Sequence, residues 1–240
     1  MPAVHITAPA KIILLGEHAV VYGQPALAVP FRRLQAAVTV RPGLARPDGE
    51  IFLEAPQVGV AARLADLPPD DPLAAAVIAV QHELGGGVLP ACEVRVTATI
   101  PLAAGLGSGA AVTVALVRAL AAFWGRPLTS ARVSALTFEI EKLHHGTPSG
   151  IDNAVIAYDA PILFQRGAPL ARLTLGGDFT LVVGDTGIAS PTRAAVTAVR
   201  RHWQADPDAV EAICVAIGEL VRAGERALAS GDPVALGRLL

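Results

Sequence analysis

A chain of 240 residues, 52% hydrophobic and 17% charged, is long enough to bury a full core and too apolar for intrinsic disorder. Its net charge of −2 gives no electrostatic case for binding nucleic acid or an anionic membrane surface. Cys92 and Cys214 have neither metal-ligand spacing nor a disulfide framework, and the opening MPAVHITAPAK lacks the basic start and long apolar run of a secretory signal, so the reading is a cytoplasmic protein with two reduced thiols.

Strands come first: Lys11–Leu15, Ala26–Val29, then the alternating Leu34, Ala36, Val38 and Val40. A turn-rich stretch, Arg41–Glu50, leads to a short apolar run, Ile51–Leu53. Asp71 followed by Pro72 is a helix start, with the acid as cap and proline in the first position. That helix runs to Leu84 and stops at Gly85-Gly86-Gly87. Residues 92–100 alternate as a strand, a glycine-rich loop follows, and an apolar helix occupies about Ala110–Phe123. The uncharged interval between Arg95 and Arg118 is long enough to imitate a membrane span. It holds strand alternation, Pro101 and three glycines by residue 109, and the apolar part beyond them is too short to cross a bilayer. Thr129 or Ser130 caps a helix ending near His145, with Gly146 as its stop. Short strands are expected at 161–164, 171–175 and 179–184. Ser190-Pro191, Asp206-Pro207 and Asp232-Pro233 each open a further helix. Strands and helices that do not alternate regularly predict an α+β fold, with a boundary between residues 160 and 180.

Chemistry concentrates in the loop Pro101-Leu-Ala-Ala-Gly-Leu-Gly-Ser-Gly-Ala-Ala111, set between a strand and a helix. Glycines let backbone approach an anion, and a helix N-terminus offers unpaired N–H groups, so phosphate is the natural guest. By itself such a loop is equally well a tight turn. Neither lysine follows a glycine, which excludes a Walker A loop, and Leu106 stands where a nucleophile elbow around Ser108 needs glycine. Of the nineteen basic residues only Lys11 and Lys142 are lysines. Lys11 begins an apolar strand, an unusual place for a structural lysine. Glu141 and Lys142 taken alone read as solvated charges on a helix, and Asp152 as a helix cap.

Three stretches together carry a resemblance. The loop 101–111 is similar to the phosphate-binding motif of the galactokinase, homoserine kinase, mevalonate kinase and phosphomevalonate kinase (GHMP) superfamily. Pro9-Ala-Lys-Ile-Ile-Leu-Leu-Gly-Glu-His-Ala-Val-Val-Tyr-Gly23 resembles its first motif, in the wording of mevalonate kinases. Glu141-Lys-Leu-His-His-Gly-Thr-Pro-Ser-Gly-Ile-Asp-Asn-Ala154 also looks like that family. The resemblance implies a GHMP-kinase fold, with a ribosomal-protein-like N-terminal domain over 1–170 and a ferredoxin-like domain beginning at 171–240. It implies ATP and Mg²⁺ as cofactors, mevalonate as the small-molecule substrate and, from the family's habit, a homodimer.

Residue by residue, the resemblance makes Asp152 the base that accepts the substrate's hydroxyl proton and Lys11 the cation paired with it. Ala103, Ala104, Gly105, Leu106, Gly107, Ser108, Gly109 and Ala110 cradle the nucleotide. Glu141 and Ser108 become metal ligands, while Glu17, His18, Thr192 and Arg193 line the acceptor site. Phosphoryl transfer asks for such parts: a cradle, a divalent ion, a cation near the moving group and an oriented hydroxyl. Two departures stand out. Gly109 replaces the second serine expected of the loop, which shifts the metal role to Ser108, a water or Glu141 with ATP alone. No third, glycine-rich motif follows residue 177, and the chain stops within a freshly capped helix, so an incomplete C-terminal domain is expected. Another GHMP small-molecule kinase and a non-catalytic nucleotide-binding protein are the competing readings.

Overall fold

The computed structural model describes residues 1–68, 70–145, 148–184 and 192–240, with backbone alone for 144–145 and 192–194. Strand β1 (Val4–Leu15) pairs antiparallel along nearly the whole of β2 (Ala26–Pro42). The two segments expected around residue 30 are therefore one strand. Pro9 faces Gln35 while Ala10 faces Phe31, so Arg32, Arg33 and Leu34 form a bulge that absorbs the break in alternation. Pro30 sits just before the bulge, where a ladder tolerates a missing N–H.

The other edge of β2 is shared. Its C-terminal half pairs with β5 (Cys92–Ala98), and Ala26–Ala28 pair with β6 (Ile162–Phe164). Beyond β5 lies β3 (Ile51–Ala55), in parallel, and then β4 (Val60–Arg63), while β7 (Ala171–Arg172) closes the other side. The result is a seven-stranded mixed sheet. Helices α1 (Pro72–Glu83), α2 (Ser108–Phe123), α3 (Ser130–His145) and α4 (Ile151–Tyr158) cover one face and share the large apolar core with it. Leu116, Leu120, Ile151 and Ile156 are fully buried there beside Val38, Val40 and Leu53.

The chain continues through α5 (Thr192–Ala205), α6 (Pro207–Ser230) and α7 (Pro233–Gly237). Val221, Leu228 and Leu236 of this group form a second cluster with Leu14, Leu15 and Leu27 of the sheet. Gly224 permits that approach, since a Cβ there would stand 2.6 Å from the Leu15 side chain. The cap-plus-proline starts at 71, 206 and 232 are as expected, each aspartate accepting N–H bonds from the first turn. Gly146, Ser190 and Pro191, expected as stop and start signals, lie outside the described residues. The strand expected at 179–184 is absent: this stretch is irregular, and Val182 is 95% exposed. Its apolar run has no ladder partner among the described residues, and hydrophobicity without a partner does not make a strand. The arrangement is α+β, and no helix of the described residues is long and apolar enough to cross a membrane. Both cysteines are free and buried, and burial pushes the Cys92 thiol up to about 12.

Candidate active site

Lys11 lies in the middle of β1, and its backbone N–H donates to the carbonyl of Leu106 at 3.0 Å. That bond lays the loop 101–107 along the strand. Gly107 then turns into α2 with φ of 74°, and a Cβ at this position would stand 2.8 Å from Lys11 Cγ and 3.2 Å from Ile156 Cδ1. Glycine is therefore required twice over, for the left-handed backbone and for the contact with the lysine stem. The first intrahelical bond of α2 runs from Ala111 N–H to Gly107 carbonyl, and no side chain caps the helix. The N–H groups of Ser108, Gly109 and Ala110 thus precede the helical ladder at the positive end of the helix dipole.

Lys11 Nζ reaches Asp152 Oδ1 at 3.1 Å, with side chains 9% and 33% exposed. The lysine is enclosed and the carboxylate open on one side. Asp152 stands in the first turn of α4, which starts at Gly150 with φ of 94°. Next to it, buried Asn153 donates to the Ser134 carbonyl at 3.0 Å and to Ser134 Oγ at 2.8 Å, tying α4 to α3. Asn153 lies within the 141–154 motif, where the assigned roles fall to Glu141 and to its neighbour Asp152; its buried amide fixes the base of the turn that presents Asp152. The pair, the loop and the opening of α2 therefore converge from elements distant in sequence.

The remaining predicted residues are placed less closely. Glu17 is exposed and His18 half-buried in the bend after β1, and His18 holds a φ of 60°, as Ala103 in the loop holds 57°. Left-handed backbone at non-glycine residues is a strain that functional loops commonly store. Glu141 is half-buried towards the end of α3, beside Lys142, which pairs with Glu139 at 2.7 Å. The side chains of Thr192 and Arg193 lie outside the described residues. Ala104, Leu106 and Ser108 are half-buried, and Gly105 and Gly109 open to solvent, while Ala110 is buried beneath the first turn.

One feature was not foreseen. A cavity of about 420 Å³ is lined by Arg32 and Arg33 of the β2 bulge, by Gln35 and Gln57, and by Thr97 and Thr99 at the end of β5. Gln57 grips the Ala98 backbone from both sides, accepting from its N–H at 2.7 Å and donating to its carbonyl. Thr99 and Gln35 are likewise joined by backbone and hydroxyl bonds of 2.8–3.2 Å. The strand end that feeds the loop is held firmly beside this cavity. The bulge residues carried no motif, and only the register of β1 against β2 brings them here.

Comparison with known proteins bears on the family and the fold. The GHMP kinases N terminal domain family matches residues 72–160, which span α1, β5, the loop and Asp152. A mevalonate kinase of Thermococcus sibiricus is 34% identical over 247 residues, covering 94% of this chain and 70% of that protein. The fold is shared with a Methanococcus jannaschii mevalonate kinase, with a TM-score of 0.73 at 18% identity over 99% of this chain and 80% of that one. It is shared too with L. major mevalonate kinase, solved in complex with R-mevalonate, with a TM-score of 0.73 at 24% identity over 98% and 72% of the two chains. Motifs, topology and a relative of this closeness point one way, and the chain belongs to the mevalonate kinase family.

Proposed function

We propose that this protein is a cytoplasmic, ATP-dependent kinase that phosphorylates (R)-mevalonate to 5-phosphomevalonate. The observation that carries the reading is the Lys11–Asp152 pair at 3.1 Å, enclosed at the lysine and open at the carboxylate, next to an uncapped helix N-terminus. Residues 103–110 bind the triphosphate through backbone N–H groups. The cavity beside Thr97 and Thr99 takes the nucleoside. Glu17 and His18 line the acceptor side, and Arg193 with Thr192 binds the acceptor's carboxylate, an assignment resting on the bidentate chemistry of arginine.

The step balances without further reactants. The substrate's primary hydroxyl oxygen bonds to the γ-phosphorus, the bond to the bridging oxygen breaks, and ADP leaves with that electron pair. Asp152 accepts the hydroxyl proton, and the Lys11 ammonium stabilises charge gathering on the transferring oxygens. Among the described residues no cluster of three or more His, Cys, Asp or Glu forms a protein cage for a metal. That suits Mg²⁺, which takes one or two carboxylates and otherwise phosphates and water. Glu141 and Ser108 are the hard oxygen donors that would hold it, and its chemistry there is neutralisation of phosphate charge. Because nucleotide loop and catalytic pair both fall within residues 1–170, we assign these to one domain and 171–240 to a second.

The test is ³¹P NMR of the protein with ATP, Mg²⁺ and one acceptor at a time. A new phosphomonoester with (R)-mevalonate, and none with galactose or homoserine, is expected. Product from another acceptor instead would move the protein to a different branch of the superfamily, and no product with any acceptor would contradict the kinase reading.

A further inference from the structure

Tyr22 and Trp203 stack with ring centroids 4.3 Å apart and planes 10° from parallel. They come from opposite ends of the chain. Tyr22 ends the 3-10 turn Ala19–Tyr22, which begins directly after Glu17 and His18. That bend is knit closely: Val20 N–H donates to Gly16, Val21 N–H to His18 and Gln24 N–H to Ala19. A displacement of Tyr22 is therefore passed to Glu17 and His18. Trp203 lies eleven residues into α5, the helix that opens with Thr192 and Arg193. The described side chains of α5 are exposed or half-exposed, and among the described elements it packs most against α6. The ring stack gives this helix a second seat, on the loop itself.

We infer that the Tyr22–Trp203 stack is a strap fastening the Glu17–His18 loop to α5, and that Trp203 is a positioning residue for the acceptor alcohol. The inference rests on the reading of Glu17 and His18 as the acceptor side of the site. His18 is held at φ of 60°, a conformation that a non-glycine residue keeps only when its surroundings enforce it. An aromatic stack and a left-handed residue involve free energies of the same order, so the one can hold the other in place. Ring stacking also suits the task, because a planar pair fixes orientation as well as distance.

Two readouts test it in wild type, Trp203→Ala, Trp203→Phe and, from the other side of the stack, Tyr22→Leu. Amide hydrogen exchange across residues 17–23 should quicken in Trp203→Ala and Tyr22→Leu and return towards wild type in Trp203→Phe. In the same proteins KM for mevalonate should rise about 3- to 10-fold, the range of one ring pair, with kcat and KM for ATP unchanged. Unaltered exchange in both disruptive variants overturns the strap. Faster exchange with an unmoved acceptor KM overturns the positioning role. A wild type that fails to phosphorylate mevalonate defeats the proposed function instead, and the exchange comparison still decides whether the strap exists.

Discussion

Replacing Gly107 by alanine separates what the loop backbone does from what it does for Lys11. The left-handed φ of 74° costs a residue with a Cβ about 1–2 kcal/mol. Gly105, with φ of 73°, carries the same backbone penalty, but a Cβ there meets nothing within 4 Å. Both Gly105→Ala and Gly107→Ala should therefore lower Tm by about 2–8 °C, as that free energy does in a chain of this size. Only at Gly107 does the new methyl group stand 2.8 Å from Lys11 Cγ and 3.2 Å from Cε, so the lysine stem must move. A displacement of about 1 Å at reacting groups costs roughly 100-fold in rate. We expect kcat of Gly107→Ala to fall by about that factor, whereas Gly105→Ala acts mainly on KM for ATP. Melting curves and steady-state kinetics of the two variants provide the comparison. Equal kcat in both would refute the claim that Gly107 makes room for Lys11.

Two further outcomes follow from contacts around the site. Asn153→Ala removes two donors from buried Ser134 and should lower unfolding free energy by about 1–3 kcal/mol in urea titrations, with kcat reduced as α4 loosens from α3; a loss under about 0.5 kcal/mol would show the amide to be incidental. The Arg132 guanidinium holds the Glu83 carboxyl below its ordinary 4.5, so the pair stabilises above that pH and its contribution disappears as pH falls through the folded-state value. Melting temperatures of wild type and Glu83→Gln should thus differ at pH 7 and draw together as pH falls and the carboxyl protonates, and a difference at pH 7 no larger than that in acid would contradict the assignment.

How much of this was legible beforehand depends on the range of the cause. The helix starts at Asp71, Asp206 and Asp232 are local chemistry, a side chain bonding N–H groups two or three residues on, and they stand where the residues say. The break at residues 30–34 was misread as a gap between strands because a bulge depends on the partner strand, and β1 alone determines that three residues are extruded. The same long-range cause hid the cavity, whose Arg32 and Arg33 are exposed charges in any local reading. The strand expected at 179–184 failed for want of a pairing partner among the described residues. At the site, Lys11 and Asp152 were each nameable from motifs, but their 3.1 Å separation is set by β1, α2 and α4 packing together. Asn153 and the Tyr22–Trp203 stack join distant segments through contacts that no spacing rule encodes.

In the mechanism we propose, Asp152, paired with Lys11, takes the proton of the acceptor hydroxyl. The most direct measurement is a rapid-quench single turnover with Mg²⁺, ATP and mevalonate in wild type and Asp152→Asn, alongside calorimetric ATP binding to both. Asparagine keeps the shape of the side chain and removes its capacity as a base. ATP affinity should stay close to wild type, and the transfer rate should fall by about 10²–10⁴. A variant that transfers phosphate at the wild-type rate would contradict it.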